Sequence, residues 1–193
     1  MENLVENISK SVAIELLFEE MPTRPTANAI FREARKIFGD INIINRDEND
    51  IEFSVDKFVA YNEDNTTSPV VLAMGNITDF DDKVAVSEFE RTQIWNVANS
   101  EELLSKYKYA VKIWDVNAQR QIPKERAIML VDWLNVALKL YPKCQAIWIK
   151  SAGKLQLAQS IKNLKETGIV KYLYSMVNIR FFNVPNTNEF IVD

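Results

Sequence analysis

The sequence predicts an α+β fold: one mixed β-sheet with helices packed mainly on one side. Three observations point there. Apolar runs broken by turn residues crowd residues 41–74, whereas strand and helix patterns alternate after residue 109, and this order belongs to α+β chains. The length of 193 residues suits one domain by the usual prior of about 100–200 residues. With 47% hydrophobic and 26% charged residues and no linker, repeat or low-complexity stretch, residues 1–193 read as a single unit with a real core.

The elements follow in order. Residues 1–10 form a polar leader. Residues 12–18 are an apolar, β-rich run and read as a buried strand. Thr23 to Thr26 mark a helix start, with Thr as cap and Pro25 suited to a first turn. Ala27, Ile30, Phe31, Ala34, Ile37 and Phe38 then recur at helical spacing, and Gly39 sits where a C-terminal cap belongs. Residues 41–45, 51–55 and 57–61 read as extended, with a turn at 46–50. Another strand spans 69–74, ended by Gly75 and Asn76, and an acidic loop follows at 78–83.

Residues 86–107 read as helix in two pieces, with Ser100 as an internal cap ahead of Glu101 and Glu102. Residues 109–116 are a strand. Pro123 opens a long helix that runs to Tyr141 and is stopped by Pro142. A strand at 144–150, a turn at 151–154, a short amphipathic helix at 157–166, a strand at 176–184 and a turn at 185–188 complete the order. Residues 190–193 begin another extended segment, which leads to the expectation that the natural chain runs on past Asp193.

Composition excludes several kinds of chemistry. The chain has no histidine, which removes the usual general base at neutral pH and the Ser–His and Cys–His nucleophile pairs. One cysteine, Cys144, forms no disulfide within the chain and points to a reducing, cytoplasmic setting. Without histidine, a closed structural zinc site would need ligands that zinc rarely accepts. Four glycines leave no room for a glycine-rich phosphate loop. The net charge of −4, with no run of basic residues, disfavours nucleic acid. No apolar stretch is long enough to span a membrane, and residues 1–10 are no signal peptide.

A few clusters could still carry chemistry, and each has a plainer reading. Asp79, Asp81 and Asp82 could hold Mg²⁺ or Ca²⁺ through oxygen ligands, but the calcium-loop glycine and spacing are missing, so a solvated acidic turn is favoured. Residues 150–154 faintly resemble a phosphate loop, yet the required pattern is absent, and a strand-to-helix turn is favoured. Cys144 is favoured as a buried, inert thiol. Trp95, Trp114, Trp133 and Trp148 lie in apolar surroundings and are favoured as core rather than as a ligand platform.

The helix opened by Pro123 is apolar on two faces. Ala127, Leu130, Leu134, Ala137 and Tyr141 form one; Met129, Trp133, Val136 and Leu140 form the other. Two apolar faces need two covers. Internal cover is favoured, with a partner or a second copy over Met129, Trp133, Val136 and Leu140 as the alternative interaction surface.

Residues 12–18, 95–113, the Pro123 helix, 144–155 and 177–181 together resemble the bacterial domain-of-unknown-function family 4261. The resemblance covers most of the chain, rests on packing patterns, and implies no activity or site residues. The functional expectation is therefore a cytoplasmic binding or protein-interaction module, immunity-like or regulatory, with a protein partner or homodimer and no cofactor. The alternative is a histidine-free enzyme using carboxylates, with Mg²⁺ at Asp79, Asp81 and Asp82.

Overall fold

The computed structural model describes residues 11–193 except Glu48, Glu63, Asn65, Trp95, Arg180, 184–189 and Asp193, with backbone alone at 181–183 and 190–192. Strand β1 (Ala13–Phe18) leads into helix α1 (Ala27–Phe38). Thr26 caps α1 by accepting from the Ala29 N–H, so Pro25 precedes the cap rather than sitting in the first turn. Gly39 ends the helix at φ 78°, a conformation that other residues adopt only with strain.

Strands β2 (Ile41–Arg46), β3 (Asp50–Tyr61) and β4 (Thr67–Asp79) form an antiparallel meander. The first turn is built by Asp47, whose carboxylate accepts from the Asn49 and Asp50 N–H groups at 2.7 and 2.8 Å. β4 does not stop at Gly75. Its register shifts between Met74 and Ile77 and the strand continues to Asp79. The Trp114 ring lies over Gly75, where an added Cβ would meet Cζ3 at 3.4 Å.

Three short helices follow: α2 (Asp82–Ala85), α3 (Glu88–Thr92) and α4 (Ser100–Leu104). A capping box between Ser87 and Glu90 starts α3, whereas Ser100 lies inside α4 and Asn99 takes the cap position. Then come β5 (Tyr109–Val116), α5 (Pro123–Leu140), β6 (Ala146–Ile149) and β7 (Lys154–Leu157). The chain continues with α6 (Ala158–Asn163), α7 (Gly168–Met176) and a separate hairpin of β8 (Phe181–Asn183) and β9 (Phe190–Val192). The 150–154 turn therefore leads into a strand, and α7 begins where no helix was expected. The expected turn at 185–188 lies outside the described residues, as does Trp95.

The seven-stranded sheet has the order β2-β3-β4-β5-β1-β6-β7. Every described pairing is antiparallel, which corrects the mixed sheet expected above. The reason is topological. Helix α5 returns the chain so that β6 runs parallel to β5, but β1 lies between them and opposes both. A helical crossover thus produces no parallel pair.

Alternation along the strands sets two cores. Ile14, Leu16 and Phe18 of β1 join Phe53, Leu72, Ile113 and Ile147 under α1 and α5. Leu17, Ala110, Ala146, Trp148 and Leu155 point the other way, under the short helices that bring Phe80, Val86 and Leu104. The two longest helices share one face, as expected.

Met129, Trp133 and Val136 are buried and Leu140 is half-buried by other parts of this chain, which is the internal cover favoured above rather than the alternative of an exposed interaction surface. Trp133 packs edge-on against Phe53, with centroids 5.3 Å apart, and donates from Nε1 to the Ala73 carbonyl at 3.2 Å. The sheet, α1 and α7 all contact α5. Helix α7 is the cover that the sequence pattern did not show.

Candidate functional site

A concavity lies where β1 and α5 end together. Past Phe18 the chain bends at Glu19 and Glu20 and runs on without regular structure through Pro22, and past Leu140 it turns sharply after Tyr141. Backbone bonds join these ends. The Tyr141 N–H donates to the Ala137 carbonyl at 2.9 Å, and the Cys144 N–H to the Tyr141 carbonyl at 3.0 Å. The Gln145 N–H reaches the Leu17 carbonyl at 3.2 Å, while the Gln145 Oε1 accepts from the Glu19 N–H at 2.9 Å. Lys162 Nζ donates to the Pro142 carbonyl at 2.9 Å and holds the outer turn.

Between residues 18–23 and 140–145 opens a cleft of about 600 Å³, within the range of about 300–1,000 Å³ of small-ligand sites. Phe18, Met21, Pro22, Leu140 and Tyr141 give it apolar walls, and Glu19, Glu20 and Lys143 also line it. The Phe18 and Tyr141 rings stand 5.6 Å apart at 58°. Tyr141 is 2% exposed, and its hydroxyl is buried without a hydrogen-bond partner among the described residues. Burial pushes this phenol up to about 12, against the opposing charge of Arg24, so it stays protonated and can donate.

Cys144 stands beside the cleft as a buried thiol that donates to the Ala146 carbonyl at 3.2 Å. Burial raises it to about 12, which leaves a neutral thiol and no thiolate nucleophile at neutral pH. Tyr107 is likewise raised to about 12, first by burial and then by the Glu19 charge.

The acidic loop is spent on structure. Asp79 is the last residue of β4, paired opposite Tyr109. Asp81 caps α2 by accepting from the Lys83 N–H at 3.0 Å. Asp82 accepts from Arg91 Nη2 at 2.8 Å, and the same guanidinium holds Glu101 at 2.6 Å. Among the described residues, no group of three Cys, Asp or Glu side chains is placed to hold a metal ion. Trp148 is core and Trp114 is half-buried, with Lys112 Nζ 5.5 Å from its ring centroid.

Asp115 and Lys154 are buried charges that the sequence does not single out. Asp115 is fully buried and accepts from Arg126 Nε at 2.7 Å, Arg126 Nη2 at 3.1 Å and the Val12 N–H at 2.6 Å. This bidentate pair ties the starts of β1 and α5 to the end of β5. Lys154, 7% exposed, donates to the Tyr174 carbonyl at 2.8 Å and the Val177 carbonyl at 2.5 Å, at the end of α7. Burial lowers its pKa, and the helix-end carbonyls supply the compensating negative field. The cleft itself was also missed. Its one sequence signal is that Pro22 and Pro142 each follow the end of an apolar element.

No family model, curated protein or solved structure matches the chain.

Proposed function

We propose that this chain is a cytoplasmic binding module that seats part of a protein partner in the cleft between residues 18–23 and 140–145. The observation that carries the reading is the Tyr141 hydroxyl, buried at an apolar cleft without a partner. A buried polar group left unpaired costs about 1–3 kcal/mol, and a partner whose seating opens the cleft at Tyr141 would offset that cost by accepting from the hydroxyl. Apolar walls suit an aliphatic side chain next to that carbonyl. Glu19 and Glu20 favour a basic neighbour, and the net charge of −4 acts in the same direction. That chemistry supports a regulatory or immunity-like role, masking a basic partner. The resemblance to family 4261 carries no activity, and the proposal does not rest on it.

The test uses a capped leucyl-lysine dipeptide as probe, followed by amide chemical shifts. Shifts should move at residues 18–23 and 140–145. Tyr141→Phe should weaken binding about fivefold to tenfold, the equivalent of about 1 kcal/mol for one hydrogen bond. It should leave the free protein as stable as before or more so. Shifts confined to other surfaces would refute the reading. So would a Tyr141→Phe protein that loses stability while binding unchanged.

A further inference from the structure

One sector of the sheet belongs to neither core. Leu17 of β1 and Ala110 of β5 point towards the short helices and join the core beneath them. Ala13 and Trp114 lie four residues along the same two strands, so alternation turns them to the same side. Ala73 of β4 pairs with Trp114 and shares that side. Ala13, Ala73 and Trp114 are nevertheless members of neither core cluster, and Trp114 is half-buried.

Small residues around Trp114 make this sector a platform. Ala13 and Ala73 flank the indole on the neighbouring strands, and the ring leans over Gly75 of β4. Asp50 and Glu52 of β3 pair with Gly75 and Ala73, so their carboxylates stand on the same side. A Cβ added to Gly75 would meet Trp114 Cζ3 at 3.4 Å and Asp50 Oδ1 at 3.5 Å, so indole and carboxylate meet over one glycine. Strands β5 and β3 are two spacings apart, about 10 Å, and the indole laid over β4 closes about half of that gap.

The charges around the ring select what it takes. Glu15 stands on the β1 side, and Asp50 and Glu52 on the β3 side. Lys112 lies directly opposite Glu15 and offsets it, and its Nζ stands 5.5 Å from the Trp114 centroid, so a cation already settles against this indole. Asp50 and Glu52 are half-buried and have no ion-pair partner among the described residues. We propose that this face binds an arginine presented by a basic segment of a protein partner, with the guanidinium stacked on Trp114 above Gly75 and paired with Asp50 and Glu52. A guanidinium is flat enough to lie on the indole and forked enough to donate to carboxylates beside it, whereas an ammonium is a compact point charge. The site stands apart from the cleft, which opens past Phe18 at the other end of β1.

Chemical shifts of this chain, titrated with acetyl-triarginine amide, test the assignment. Amide shifts should move around residues 13, 50–52, 73–75 and 112–114, together with the Trp114 indole N–H. Trp114→Ala should weaken binding about tenfold. Asp50→Asn and Glu52→Gln should each weaken it about threefold with the melting temperature unchanged, because neither carboxylate holds an ion pair. These two variants decide the matter should Trp114→Ala disturb the sheet. Acetyl-trilysine amide, of equal charge, should bind at least about threefold more weakly than the arginine peptide. Shifts confined to residues 18–23 and 140–145 would overturn the proposal while leaving the cleft reading intact. No shift at all, equal binding of the lysine peptide, or binding indifferent to both Asp50→Asn and Glu52→Gln would overturn it as well.

Discussion

Replacing Trp133 by alanine gives the sharpest test of how this fold is held. The side chain is fully buried, packs edge-on against Phe53, and gives its one donor to the Ala73 carbonyl at 3.2 Å. An aromatic side chain of this size buries about 150–250 Å², or about 4–6 kcal/mol at about 25 cal/mol per Å². Alanine keeps the Cβ, but the emptied space is closed only in part by its neighbours, among them Phe53 of β3 and Ala73 of β4. The expected loss is about 3–5 kcal/mol. Domains of this kind carry about 5–15 kcal/mol, so the variant should be severely weakened or unfolded at room temperature. Urea denaturation followed by far-ultraviolet circular dichroism is the assay, because removing a tryptophan would distort a fluorescence signal. Trp133→Phe separates the contributions: it keeps most of the apolar contact and loses the donated hydrogen bond, for about 1–2 kcal/mol. A Trp133→Ala midpoint equal to wild type would refute the core assignment of this face. An unchanged midpoint with an altered assembly state would make that face an interface after all.

Three further outcomes are expected. Asp115→Ala should cost about 3–5 kcal/mol, because it strands the Arg126 guanidinium and the Val12 N–H, and adding Arg126→Leu should recover part of the loss in a double-mutant cycle. Glu33 is held at about 2, first by hydrogen bonds from Lys139 and Lys36, against an ordinary 4.5. Its folded pKa is depressed, so its stabilisation is full above 4.5 and is lost as pH falls towards 2, and Glu33→Gln should flatten the acid limb of a stability–pH curve over that window. Cys144 should resist alkylation in the native state and react only at the rate of unfolding, since its thiol is buried and raised to about 12. Rapid native labelling at neutral pH would contradict that placement.

Elements whose signals are local were legible in the sequence. Thr26 and Gly39 bracket α1 because a cap needs only the adjacent turn. Pro123 and Pro142 bound α5 for the same reason, and β5 matched residue for residue. Strand β7 falls between the turn expected at 151–154 and the helix expected at 157–166, because a four-residue strand carries little pattern of its own and its pairing with β6 decides it. Helix α7 went unread because Ile169, Val170, Tyr172 and Tyr174 favour strands, and contact with α5 overrides that preference. The cleft was hidden for a related reason. Glu19 and Gln145 are 126 residues apart, and no periodicity links them.

By itself the sequence determined the class of the fold, the single sheet, the bounds of the long helices, and the absence of histidine chemistry. These follow from composition and from interactions within a turn or two of chain. Tertiary structure alone decided that the sheet is antiparallel, that α7 closes over α5, and that Asp82 pairs with Arg91. It also decided that Tyr141 is buried at a cleft with its hydroxyl unpaired, and that β2 is left as an open edge. Those outcomes depend on which distant segments meet, and what a side chain does is fixed by the neighbours that the chain brings to it.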